Sequence, residues 1–151
     1  RLYHLYSPMV HAIMLSRIPW SEVDDLVQDV FLTAYRKVGS LRDPSSFGPW
    51  LGMIARNRAM DYHRRTKKVQ EITDEIHDRS RSEAEADAEK VISVIRKLPE
   101  AYRETLAMRL VEGMSGPEIA ARTGLTPASV RVNLHRGMKI LRESLGMEEV
   151  Q

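Results

Sequence analysis

Between Pro127 and Arg142 every charged side chain is a cation: Arg131, Arg136, Lys139 and Arg142, with His135 beside them and no acid among them. Guanidinium and ammonium groups carry only donors, so such a segment suits a surface of acceptors, namely phosphate oxygens and base edges. A second cluster gathers Arg56, Arg58, Arg64, Arg65, Lys67 and Lys68 against the single acid Asp61, with Asn57, Tyr62 and His63 interleaved. Cations favoured at a helix C-terminus account for Arg64 and Arg65 but not for the whole cluster, which suits a nucleic-acid backbone. A third group, Asp25, Gln28, Asp29 and Leu32, has the opposite character. It reads either as an acidic docking strip with an exposed leucine or as ordinary solvated helix surface.

Residues for covalent chemistry are missing. The chain has no cysteine, and its five histidines form no H-x-x-x-H pair, which leaves little support for a metal site. No nucleophile–base pair stands out. Gly48 and Gly52 lack P-loop spacing and the lysine that follows it. The expectation is a protein without cofactor or metal that is not an enzyme.

The elements that position the first cluster are written in the segment Gly113–Leu145. Ser115 and Glu118 form an S-x-x-E capping box, with Pro117 in the first turn, where its missing N–H costs nothing. Gly124 supplies the positive-φ position that stops this helix, and Thr126-Pro127 restarts the chain as an N-cap followed by proline. Two short helices joined by a glycine turn make a helix-turn-helix, whose second helix enters the major groove with early residues at base edges and later ones near phosphate. Capped helix pairs also occur in proteins that never touch DNA. The acid-free second helix, rather than the turn, favours DNA.

Helical periodicity dominates the 151 residues and alternating patterns are almost absent, so an all-α protein is expected. The net charge of +2 says little, but its distribution is uneven. Residues 1–65 carry nine Lys/Arg against six Asp/Glu, residues 66–90 five against eight, and residues 91–151 nine against seven. The apolar-poor stretch 66–90 looks like a solvated, flexible linker, with a brief amphipathic turn at Ile72 and Ile76. It separates two small helical units. In the front unit Ser21 caps a helix to about Val38 whose buried face is Val23, Leu26, Val27, Val30, Phe31 and Ala34. A turn-rich loop from Gly39 to Ser46 precedes a second helix with Phe47, Trp50, Leu51, Ile54 and Ala55 on one face. In the rear unit Val91, Ile95 and Leu98 pack one helix, Pro99 starts the next, and Tyr102, Leu106 and Leu110 give its stripe, with Met108 and Met114 as core fillers. No apolar run approaches the roughly 18 residues of a membrane span, and no signal peptide precedes the first helix. A soluble cytoplasmic protein without membrane insertion is the expectation.

Read together, DDLVQDVFLTAYRKVGSLRD, then F-x-x-W-L-x-x-I-A-R-N-x-x-x-D, then LPEAYRETLAMRLVEGMSGPEIAARTGLTPASVRVNLHRGMKILRESL resemble the extracytoplasmic-function (ECF) class of bacterial RNA polymerase sigma factors. The resemblance implies region 2 over residues 1–67, a linker over 68–89 and a region 4 helix-turn-helix over 90–146. It implies that region 2 is clipped at its front, so that sequence precedes Arg1. Asp25, Gln28, Asp29 and Leu32 would then dock on the clamp coiled coil of the polymerase core. The loop Ser40–Ser46, with Leu41, Arg42 and Ser45, would receive a base flipped from the −10 element. Asn57, Arg58, Asp61, Arg64 and Arg65 would read, unpair and hold that element. Many relatives carry Asn where this chain has Asp61, so the recognised base is expected to differ. Thr126, Ser129, Arg131, Val132, His135, Arg136 and Lys139 would contact the −35 element. The implied function is promoter-specific initiation, with core polymerase, promoter DNA and an anti-sigma factor as partners, and with the acidic linker running through the RNA-exit path. Two rivals remain: a sigma mimic that sequesters an anti-sigma factor, and a helix-turn-helix repressor whose front unit senses a ligand or dimerises.

Overall fold

The computed structural model describes residues 1–69 and 83–146, and among these every regular element is helical. The α-helices are α1 (Leu2–Leu15), α2 (Val23–Lys37), α3 (Phe47–Val69), α4 (Glu83–Ile95), α5 (Glu100–Leu110), α6 (Gly116–Thr123) and α7 (Pro127–Ser144). Helices α1 to α3 pack mutually into the front bundle, and α4 to α7 form the rear one around the α5–α7 contact.

Helix α1 is the element that the sequence reading left undescribed, and it lies at the centre. Met9, Val10, Ala12, Ile13, Met14 and Leu15 are all buried, nearly all the way round the helix. A helix acquires one buried face from one neighbour; this one has neighbours on several sides, α2 and α3 in front and α5 and α6 behind. Each large apolar side chain removed from water here contributes about 1.5–3 kcal/mol before chain entropy is subtracted.

Around α2 the expected face is buried at Val23, Leu26, Val27, Val30 and Ala34, with Phe31 half-buried. The start differs. Ser21 does not cap the helix; it lies in a 3-10 turn, Trp20–Glu22, and α2 begins at Val23 without a side-chain cap. Asp24 and Asp25 in the first turn offset the exposed N–H groups through the helix dipole instead. In α5, Leu110 is 40% exposed, contrary to the expected stripe, while Thr105, Leu106, Ala107 and Met108 are buried. That helix is contacted by α1, α4, α6 and α7, so burial spreads round it instead of following one face. In α4 the buried positions are Ile92 and Ile95, with Val91 only half-buried.

Residues 66–69 and 83–90, within the stretch expected as solvated linker, are helical. The first group extends α3, and the second opens α4, where the Glu- and Ala-rich run carries high helix propensity into the packed Ile92 and Ile95. The brief turn expected at Ile72 and Ile76 lies outside the described residues. The helix-turn-helix forms as its punctuation dictates. Ser115 Oγ accepts from the Glu118 N–H while the Glu118 carboxylate accepts from the Ser115 N–H, and Thr126 Oγ1 accepts from the Ser129 N–H. Gly124 takes φ +81°, where a Cβ would be strained.

Candidate nucleic-acid interface

Helix α7 divides lengthwise. Val130, Gly137 and Leu141 are buried, and Leu134 and Met138 pack on the core from the edge of that face. Arg131, Val132, His135, Arg136 and Lys139 are exposed, as are Thr126 and Ser129 at the start of the helix. All seven residues expected to meet the −35 element therefore face solvent. The inner face, packed on α5, fixes the azimuth of the outer one, so the donors are presented by a braced helix and not by a loop.

The second group is more interlocked. Leu41 is half-buried, while Arg42 and Ser45 are exposed. The loop is ordered from within: Asp43 accepts from the Ser45 N–H at 3.0 Å ahead of the 3-10 turn Pro44–Ser46. The Ser45 hydroxyl and N–H hold the Asp43 carboxyl below its usual range. On α3, Asn57, Arg64 and Arg65 are exposed, and Arg58 and Asp61 are half-buried. Arg58 donates to Asp29 at 3.0 Å, which joins a residue expected to touch DNA to one expected to touch polymerase. Arg64 pairs with Asp61 one turn earlier. Asp25, Gln28 and Leu32 are exposed on α2, whereas Asp29 is half-buried by its contact with Arg58. Tyr35, 82% exposed, follows Gln28 and Leu32 at i+7 and i+3 and belongs to the same strip. That spacing is visible in the sequence, but a single tyrosine beside Arg36 and Lys37 carries no signal of exposure by itself.

Sequence reasoning also missed the seam between the halves. Glu104 of α5 is approached by two arginines of the front bundle. Arg56 donates through Nε to Oε2 at 2.9 Å and through Nη2 to Oε1 at 2.7 Å, and Arg17 donates through Nη2 at 2.6 Å. The Glu104 side chain is 12% exposed. Burial alone would raise its pKa, but the two guanidinium partners more than offset this and hold it below the usual carboxylate range. Arg17 also donates to Glu100 at 2.8 Å. Arg96 donates to the Leu15 and Ile18 carbonyls at the end of α1, where a helix leaves acceptors unpaired. Arg122 donates to the Leu5 carbonyl at 3.0 Å, and His11 pairs with Glu112. Between α3 and helices α5 to α7 lies a cleft of about 720 Å³ whose lining includes Met53, Arg56, Asn57, Met60, Glu104 and Asn133. No pairwise pattern in a sequence announces such contacts, since the partners lie 48 or more residues apart.

Among the described residues no group of His, Cys, Asp and Glu has the makings of a metal site, and no helix is long and apolar enough to cross a membrane.

The family model for Sigma-70 region 2 matches residues 2–69, and that for Sigma-70 region 4 matches residues 88–141. The RNA polymerase sigma factor CarQ of Myxococcus xanthus is 31% identical over 134 residues, spanning 85% of this chain and 77% of that one. Among solved structures, CnrH in complex with the cytosolic domain of CnrY aligns with TM-score 0.62 at 27% identity, over 98% of this chain and 87% of that one. The sigma factor RpoE in complex with the anti-sigma factor NepR, from Bartonella quintana, shares the fold, with TM-score 0.60 at 24% identity over 98% and 95% of the two chains. The two regions follow one another with only a short stretch between the matched segments. The chain belongs to the ECF class of RNA polymerase sigma factors. It is a regulatory initiation factor that directs RNA polymerase to promoter DNA.

Proposed function

We propose that the front unit, residues 1–67, docks on the clamp coiled coil of core polymerase through Asp25, Gln28, Asp29 and Leu32 and reads and holds the melted −10 element. Leu41, Arg42 and Ser45 receive the flipped base; Asn57, Arg58, Asp61, Arg64 and Arg65 line its approach. The rear unit, residues 90–146, reads the −35 element through Thr126, Ser129, Arg131, Val132, His135, Arg136 and Lys139, and residues 68–89 connect the two. The observation that carries this reading is the solvent face of α7, where every charged side chain from Arg131 to Arg142 is a cation and the helix is braced on α5. Arg131 and Arg136 supply fork-shaped donors for a base edge or phosphate. Unstacking a base costs a few kcal/mol, which a pocket for the extruded base offsets.

No covalent step is needed, so the protein is not an enzyme; it lends the polymerase recognition and traps opened DNA in the cytoplasm. An anti-sigma factor controls it, as the RpoE–NepR pair suggests by its fold. Elements centred about 25 base pairs apart are separated by about 85 Å at roughly 3.4 Å per pair. A compact chain of 151 residues has a radius of gyration of only about 15 Å. Both elements are therefore engaged only after the packed halves part.

Run-off transcription with purified core polymerase and a promoter library tests the reading. Transcripts that appear only with this protein support it and reveal the promoter sequence. Tight core binding without transcripts from any promoter overturns the promoter assignment, and absence of core binding favours the mimic.

A further inference from the structure

We propose that Arg17 and Arg56 form a binding site for a backbone phosphate of promoter DNA, and that Glu104 of the rear unit occupies this site while the two halves are packed together. The inference rests on the reading that the exposed side of α3 faces −10 DNA. Arg17 follows α1 and Arg56 lies on α3, both in the front bundle, yet both guanidinium groups converge on one carboxylate from the rear bundle. Arg56 meets it with two parallel N–H donors, the fork geometry that serves carboxylate and phosphate alike.

A carboxylate leaves this site incompletely satisfied. Arg17 Nε is buried and has no hydrogen-bond partner among the described residues, although its Nη2 donates to both Glu104 and Glu100. A buried donor without a partner forfeits its hydration with nothing in return. A phosphodiester carries the same single negative charge as a carboxylate but sets four oxygens in a larger, tetrahedral array, so it can take up donors that Glu104 does not. Position agrees with chemistry: Asn57 adjoins Arg56 in sequence and lines the same cleft, with Met53 and Met60 exposed beside it. A strand laid along that side of α3 brings its backbone within reach of the two arginines once α5 withdraws.

The consequence is competition within one molecule. Closure places Glu104 on the arginines; DNA replaces it; the two states exclude each other at this point. Closure also depends on a close backbone approach nearby. Gly48, in the first turn of α3, lies so near the Arg122 carbonyl that an added Cβ would stand 1.9 Å from its oxygen. The halves can thus be forced apart at Gly48 without altering any charge.

The test uses the full chain and a fluorescent single-stranded DNA of mixed sequence, titrated at several salt concentrations. Glu104→Gln should tighten binding roughly tenfold by raising the competent fraction. It should also steepen the slope of log K against log salt by roughly 0.7, the release of one further phosphate's counterion. Gly48→Ala should do the same by sterics alone, and it carries the test if Glu104→Gln fails to fold. Adding Arg17→Gln and Arg56→Gln to either variant should cancel both gains. Unchanged affinity and slope in both opened variants, or gains that survive loss of the two arginines, overturn the proposal. Asn57→Ala and Arg65→Gln separate its failure from that of the underlying reading. If these weaken binding while the arginine pair does not, the −10 face stands and the phosphate site falls; if none of the four matters, the assignment of α3 falls with it.

Discussion

Replacing His11 by glutamine should make the stability of this protein less dependent on pH, and the direction follows from the seam between the two bundles. His11 on α1 pairs through Nδ1 with Glu112, just beyond α5, and its Nε2 lies 3.7 Å from Asp24 at the start of α2. Burial alone would lower the His11 pKa. The hydrogen bond and charge of Glu112, aided by Asp24, more than offset burial and hold it above the usual 6.5. A group whose folded pKa is raised contributes stability that is fully present below about pH 6.5 and is lost as pH rises through the raised value. A hydrogen bond to a charged partner is worth about 1.5–3 kcal/mol. The two side chains are 29% and 15% exposed, and screening at that exposure trims the contribution to about 1–2 kcal/mol. In a chain of this length that corresponds to roughly 3–6 °C in Tm. Thermal unfolding followed by circular dichroism from about pH 5.5 to about pH 9 should show wild type above His11→Gln at the acid end and the two curves merging at the alkaline end. Glu112→Gln should merge them likewise. Asp24→Asn should change little, since that side chain is 92% exposed. A Tm gap that is constant across pH, or that widens toward alkali, refutes the reasoning.

Other expectations are simpler. Gly124→Ala meets a φ of +81° and sets a Cβ 2.5 Å from Pro49 Cγ of the front bundle. It should cost about 1–2 kcal/mol from the left-handed backbone alone, read as a lowered urea midpoint. Arg131→Ala with Arg136→Ala should weaken binding to −35 duplex DNA by about 1–3 kcal/mol for each specific contact, measured by anisotropy; unchanged promoter binding would remove α7 from the interface. Asp29→Arg should reduce affinity for core polymerase in a pull-down or competition assay and also break the pair with Arg58. Intact holoenzyme formation would move the docking surface elsewhere on α2.

Much of the helix-turn-helix was legible because its punctuation is local. Ser115, Glu118, Gly124, Thr126 and Pro127 each act within a few residues, and the structure places every cap where those residues stand. The buried side of α2 was equally legible from its 3.6-residue period. Errors arose where tertiary contacts override the local signal. Ser21 was expected to cap α2, but the chain makes a 3-10 turn there. Leu110 looked like core by spacing, yet α5 has neighbours on several sides and buries Thr105 and Ala107 instead. Within the candidate interface, the cationic residues of α7 were identifiable one by one, whereas Arg17 and Glu104 were invisible. An arginine after one helix and a glutamate inside another acquire meaning only when folding sets them 2.6 Å apart.

The burial of α1 on nearly all sides has a thermodynamic consequence. If the rear bundle moves away, the side of α1 that met α5 and α6 is returned to water, and the Leu15 and Ile18 carbonyls lose Arg96. Opening in free solution is then uphill by the apolar area exposed. A second protein surface that covers α1, or holds the rear bundle elsewhere, shifts this balance by its differential affinity for the parted form. The fraction of chains whose two bundles stand apart accordingly follows the concentration of that protein through mass action and stays small when it is scarce. A sigma chain built on such a helix stays closed alone and opens in company.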